Sequence, residues 1–246
     1  MKRILKFGTV AMMLAAFTFA SCSKDNEDDE QKTLSKKVTK IAYTEDDYTF
    51  TTYFDSEGRC TSSQDDSGSR TWTYQYSGNK ITSTLIDIDD DGDYTFVSNY
   101  TMENGIIVSE ENKYGISLYN HSADGYISTI QYEGGKTIFN VKNGDLISIS
   151  REDEGVIEYE LSFEYGSTKN NLNVDLWFEI LEEEPLFGLY GKKFEKLPSA
   201  MKCSDGKSSY TINFTYEYDG NYLKKIITQY GHKEKPETFF WEIFYE

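Results

Sequence analysis

The chain has 246 residues, and its 25 Lys and Arg against 42 Asp and Glu give a formal net charge of −17. Nucleic-acid binding needs clustered positive charge to displace counterions from phosphates, so that class of partner is excluded. The length fits one large domain or two small ones, and an aromatic content of 15% with 20 tyrosines points toward β structure.

The chain opens on a leader. Lys2, Arg3 and Lys6 precede an apolar run from Val10 to Ala20 that is too short and too early for a spanning helix. The run ends Phe19-Ala20-Ser21-Cys22, small residues before a cysteine, which resembles a bacterial lipobox. The resemblance implies that residues 1–21 are a signal peptide and that Cys22 carries the lipid, palmitate included, that anchors the chain to a membrane. The alternative is an ordinary secretory signal with Cys22 incidental. Residues 22–37 then read as a tether, because Ser23-Lys24-Asp25-Asn26-Glu27-Asp28-Asp29-Glu30-Gln31 has nothing apolar to bury. An acidic run directly after such a cysteine also resembles the surface-export signal of Bacteroidota lipoproteins. That implies an outer-membrane protein displayed at the cell surface, with a plain periplasmic spacer as the alternative. Cleavage would remove three basic residues and no acidic one, making the mature chain more negative still.

From residue 38 to 246 the pattern is that of strands. Val38, Ile41 and Tyr43 suggest the first, Tyr48 to Phe54 the second, and Asp55-Ser56-Glu57-Gly58-Arg59 turns the chain. Trp72, Tyr74 and Tyr76 share one face of the next strand, and Ser77-Gly78-Asn79-Lys80 leads into Ile81, Ser83 and Leu85. Tyr94 to Met102, then Tyr119, Ile127 and Ile130, then Phe139 and Val141, then Leu146 to Ile149, continue it. Ile157, Tyr159, Leu161, Phe163 and Tyr165 alternate with polar residues, as do Tyr210, Ile212, Phe214, Tyr216 and Tyr218 before Asp219-Gly220-Asn221. The turn glycines at 58, 78, 105, 125 and 144 lie 20, 27, 20 and 19 residues apart, a repeat long enough for two strands and two turns. The fold class expected is all-β, an antiparallel up-and-down meander of about fourteen strands.

One segment departs from this. Leu176, Trp177, Ile180 and Leu181 have helical spacing, with Asn173 as an N-cap and Pro185 as a stop, and predict a short helix over 173–184. Leu186 to Met201 reads as an irregular apolar loop.

Gly-turn hairpins, a short helix after Asn170-Asn171-Leu172, Tyr190-Gly191, Lys196-Leu197-Pro198-Ser199 and a final Tyr-rich hairpin together resemble a family of Bacteroidota lipoproteins. That family's domain of unknown function has a porin-like fold, so the resemblance implies a β-barrel over residues 38–246 and no known activity. Closure fits the physics, since an open sheet of so many tyrosine-rich strands would leave two long adhesive edges. A barrel that wide is not filled by its own strands, and the helix with its loop is the expected plug. Faces such as Glu158, Glu160, Ser162 and Glu164, or Thr211, Asn213, Thr215 and Glu217, are too polar to meet lipid.

Chemistry is sparse. His121 and His232 lack metal-ligand spacing and read as solvated surface residues. No nucleophile elbow, phosphate loop or dinucleotide fingerprint is present, and carboxylates are too common in this chain to mark a site, so an enzyme is not expected. Asp87, Asp89, Asp91 and Asp93, with Gly92, match the opening of a calcium loop, but the position of its closing Glu holds Ser98. Calcium at an acidic hairpin turn and a bare surface turn are the two readings. Trp72, Tyr74 and Tyr76 form the best row for stacking on a ligand, the other reading being an inward barrel face. Cys60 and Cys203 are expected to be free and buried, while barrel closure, by making first and last strands neighbours, opens the alternative of a bridge. The function expected is a non-catalytic anchored barrel that binds glycan, peptide or lipid; the alternative is a structural or accessory subunit of an outer-membrane surface assembly.

Overall fold

A computed structural model describes residues 36–45, 48–89, 92–170, 186, 188–206, 208–230 and 238–246. They form sixteen strands: β1 (Val38–Glu45), β2 (Tyr48–Phe54), β3 (Cys60–Asp65), β4 (Arg70–Ser77), β5 (Lys80–Asp89), β6 (Gly92–Glu103), β7 (Ile106–Asn112) and β8 (Gly115–His121). The second half comprises β9 (Ile127–Tyr132), β10 (Gly135–Lys142), β11 (Asp145–Asp153), β12 (Val156–Lys169), β13 (Lys196–Ser204), β14 (Ser209–Asp219), β15 (Tyr222–Tyr230) and β16 (Thr238–Tyr245). Each pairs antiparallel with its neighbours in sequence, and β16 returns to β1 with Ile41 opposite Ile243 and Tyr43 opposite Trp241. The sheet is therefore a closed meander without edges, which removes the unpaired backbone groups an open sheet would expose.

The sequence reading of about fourteen strands falls short of sixteen for identifiable reasons. β3 reads Cys-Thr-Ser-Ser-Gln-Asp, with too few apolar side chains to declare itself. β13 lies inside the segment read as an irregular loop, since Lys196 to Met201 is strand, Pro198 sitting at a bulge opposite Tyr165. The predicted helix over 173–184, with Trp177, Ile180 and Leu181, lies outside the described residues.

Period-two alternation sorts the side chains into two faces. Along β12 Leu161 and Phe163 are buried, whereas Glu158, Glu160, Ser162 and Glu164 are exposed; along β14 Ile212 and Phe214 are buried, Asn213, Thr215 and Glu217 exposed. On these two strands apolar residues point into the barrel and polar ones outward, whereas on β5, β6 and β8 the outward Ile86, Ile88, Val97, Ile116 and Leu118 are exposed.

An up-and-down order puts alternate turns at opposite ends. The turns after β2, β4, β6, β8, β10 and β14 define a first rim, and every glycine of the sequence repeat belongs to it. Asn143 and Gly144, at φ 54° and 83°, give the double left-handed geometry of a tight hairpin turn that matches strand twist. Just past these turns the ladder carries a repeated bulge. Tyr53 faces Ser62 but Phe54 faces Cys60, leaving Thr61 extra, and the same shift frees Ile147, Ser199 and Lys224. A bulge leaves a carbonyl without its ladder partner. Here a tyrosine from the following strand supplies one: Tyr76 donates to the Cys60 carbonyl at 2.8 Å, Tyr165 to Leu146 at 2.5 Å, Tyr216 to Pro198 at 2.6 Å and Tyr245 to Leu223 at 2.7 Å. Four of the strand tyrosines serve this one device.

Residues 186 and 188–195 belong to a plug that crosses the first rim. Leu186, Tyr190 and Phe194 are buried, Tyr190 stacked on Tyr119 at 5.6 Å and Phe194 on Tyr126 at 5.9 Å. The plug's backbone is held by turns of that rim, with Lys192 N–H on the Gly125 carbonyl (2.8 Å), Glu195 N–H on Gly144 (3.0 Å) and Ile107 N–H on Leu189 (2.7 Å). His121, expected on the open surface, instead lies half-buried with Nε2 at 3.0 Å from the Tyr190 carbonyl, because its strand ends under the plug. The Lys196 ammonium reaches the buried Asp145 carboxylate at 2.7 Å and fixes the end of the segment.

Cys60 and Cys203 are both free, Cys60 buried and Cys203 half-buried. Closure does not bring them together. β3 and β13 are separated by β2, β1, β16, β15 and β14, far beyond the reach of a disulfide.

Candidate functional site

At the second rim, where β1–β2, β3–β4, β5–β6 and β7–β8 turn, the inward side chains are mostly half-buried or exposed, in contrast to the packed interior under the plug. Register identifies them. Tyr43 faces Trp241 and Phe50 across the two flanking ladders, and Thr228 faces Phe239. The rings form a continuous wall over β14, β15, β16 and β1: Tyr210 stacks on Tyr230 at 5.5 Å, Tyr230 meets Phe239 edge-on at 5.2 Å, and Tyr43 contacts Phe239 at 6.2 Å and Trp241 at 5.2 Å. Glu45 stands one inward step nearer the rim and accepts the Tyr43 hydroxyl at 2.8 Å. Burial first, and that carboxylate second, push the Tyr43 phenol far above its ordinary value, so it stays a neutral donor.

The facing wall is more polar. Arg70, Asp87 and Tyr94 occupy directly opposed positions on β4, β5 and β6, with Trp72 and Phe96 one inward step deeper. Arg70 lies 4.7 Å over the Trp72 ring and 3.5 Å from the Asp87 carboxylate. Lys113, in the β7–β8 turn, folds its ammonium over Tyr94 at 4.2 Å, Tyr114 at 5.0 Å and Phe96 at 5.5 Å. The Lys113 hydrogen bond, followed by that of Tyr114, draws the Tyr94 phenol below its ordinary value. Deeper in, Glu110 points inward opposite Tyr100 and accepts from Ser98 at 2.8 Å, Asn112 at 2.7 Å and Tyr119 at 3.1 Å.

The residues singled out from sequence fall as follows. Trp72, Tyr74 and Tyr76 do share a face, the inner one: Trp72 lies in the mouth, Tyr74 in the core, and Tyr76 is committed to the Cys60 carbonyl. Asp87 points inward and Asp93, opposite Ile88, outward, so these two do not converge; Asp91 and the side chain of Asp89 lie outside the described residues. Among the described residues no three metal-ligating side chains cluster. Cys22 and His232 lie outside the described residues.

Sequence reasoning missed the wall of Tyr43, Tyr210, Tyr230, Phe239 and Trp241. Tyr43, on β1, joins the rings of β14, β15 and β16 only because closure pairs β16 with β1.

No protein-family model and no curated protein sequence matches the chain. Solved structures do. A porin-like protein from Bacteroides uniformis superposes with a TM-score of 0.61 at 15% identity, covering 85% of this chain and 96% of that one. A porin-like protein from Bacteroides vulgatus gives 0.61 at 14% identity, with 86% and 99% covered. The likeness is one of fold: this chain is an all-β closed barrel of the porin-like kind.

Proposed function

We propose that the protein is a lipid-anchored outer-membrane lipoprotein whose barrel, without catalysing a reaction, binds a ligand in the aromatic mouth at the second rim. The observation that carries this reading is the asymmetry of the interior. One end is closed by the plug and packed with buried side chains, while the other presents half-buried rings with a few polar groups among them, the usual make-up of a binding site. The polar outer faces of β12 and β14 favour attachment through Cys22 over insertion of those strands in a bilayer. β1 begins at the plugged rim, so the mouth opens at the end of the barrel opposite Val38.

Two measurements test it. Cys22→Ser should move the protein from the membrane to the soluble fraction; acylated, membrane-bound mutant would overturn the anchoring. For the mouth, glycans, peptides and phospholipids are screened by thermal shift before and after Cys203, inward-facing opposite Tyr210, is alkylated with a bulky maleimide. A ligand whose shift disappears on alkylation supports the site; a ligand that binds equally well to the alkylated protein places binding elsewhere.

A second reading, an accessory subunit of a surface assembly, is favoured by the tips of the same rim. Tyr114 in the β7–β8 turn, and Val156 and Ile157 at the start of β12, are 72%, 66% and 62% exposed. Co-purification of a stoichiometric protein partner, lost in Tyr114→Ser with Ile157→Ser, supports that reading.

A further inference from the structure

We infer that the mouth takes an uncharged saccharide, its sugar rings lying on the wall of Tyr210, Tyr230, Tyr43 and Trp241 with hydroxyls directed to Glu45; this rests on the mouth being a binding site. Three properties of the wall select that chemistry. First, its apolar surface is made of flat rings on consecutive strands, whose faces suit the planar C–H face of a pyranose. An acyl chain would be better served by flexible aliphatic side chains, which in this barrel collect instead at the plugged end, as Leu186, Ile107, Leu146 and Leu223 do. Second, the wall has hydroxyls and a carboxylate at its margin. Glu45 holds one lone-pair direction on Tyr43 and retains acceptor capacity for vicinal sugar hydroxyls, since an ionised carboxylate has about four acceptor positions.

Third, the charges of the mouth argue against an acidic ligand. Glu45, Asp87 and Glu110 all point inward, whereas Arg70 is committed to Asp87 and Trp72, Arg151 to Glu158 and Tyr132, and Lys113 to three rings. An anion would meet more fixed negative charge than free positive charge in a chain already at −17. A sugar without charge incurs no such repulsion, and the Glu45 carboxylate supplies directional acceptors that polyols need.

The experiment uses the purified mature lipoprotein in detergent micelles, titrated calorimetrically with neutral hexasaccharides (cellohexaose, maltohexaose, xylohexaose and mannohexaose) and with oligogalacturonate. Binding of at least one neutral hexasaccharide is expected, weakened tenfold or more by Trp241→Ala and fivefold or more by Glu45→Gln, and changed less than twofold by Lys113→Ala. Tyr53→Ser, on the outer face of β2, should bind within twofold of the natural chain. Where circular dichroism shows that Trp241→Ala does not fold, Glu45→Gln carries the test. Oligogalacturonate binding tighter than every neutral sugar, and lost in Lys113→Ala, overturns the uncharged class while leaving the mouth as a site. Failure of all sugars, with a phospholipid or peptide whose binding is blocked by Cys203 alkylation, overturns the saccharide and keeps the mouth. Failure of every probe in both tests overturns both.

Discussion

The Tyr216 hydroxyl, on β14, donates a 2.6 Å hydrogen bond to the carbonyl of Pro198, on β13, at the point where the bulge at Ser199 breaks the ladder. The same relationship joins Tyr245 to Leu223 and Tyr165 to Leu146. Bulges bend the strands at the plugged rim, and the phenols satisfy the carbonyls that bending leaves over. Tyr216→Phe keeps the ring and removes only the donor. It should lower stability by about 1–3 kcal/mol, the cost of an unsatisfied buried acceptor, read as a lower urea midpoint with unchanged slope. An unchanged midpoint would mean that water replaces the phenol without loss.

Alkaline pH should unfold the barrel. Burial, first among the causes, raises the phenols of Tyr76, Tyr165, Tyr216 and Tyr245 well above their ordinary value. In the unfolded chain they ionise near pH ~10. The folded state then holds protons that the unfolded state gives up, so the stabilisation is complete below about pH 10 and declines as pH rises beyond it. The phenolate absorbance of these four should therefore appear only with loss of β-sheet circular dichroism above that pH, whereas Tyr94 ionises earlier with the sheet intact. Phenolate forming at these positions with the sheet intact would contradict the burial.

Phe194→Ala should loosen the plug. The side chain is buried and stacked on Tyr126, and its removal leaves a cavity as well as lost contact area. About 3–5 kcal/mol is expected from such truncations, with faster hydrogen exchange at the Lys192 and Glu195 amides, whose acceptors are the Gly125 and Gly144 carbonyls. Lost stability without faster exchange there would assign the cost to the core alone.

The two barrel cysteines should label at very different rates. Cys60 is 1% exposed, whereas Cys203 is half-buried in the mouth. In Cys22→Ser protein one thiol should react promptly with a small maleimide and the second only after denaturation, mass spectrometry locating the first at Cys203. Equal native rates would contradict the placement of Cys60, and no thiol after denaturation without reductant would indicate a bridge.

Fold class was legible because its cause is local. Strict alternation from Ile157 to Tyr165, and turn glycines returning about every 20 residues, express strand period and hairpin length, which neighbouring residues set by themselves. β3 and β13 were harder to see, the first too polar and the second carrying Pro198 at its bulge. What the tertiary structure alone decided is everything that depends on closure. Tyr43 and Trp241 come from the first and last strands and touch only because β16 pairs with β1, whereas Cys60 and Cys203 stay on strands far apart in the same closed barrel. Alternation says that side chains share a face but not which face is inside; that follows from the sign of the barrel's curvature, which no single strand encodes.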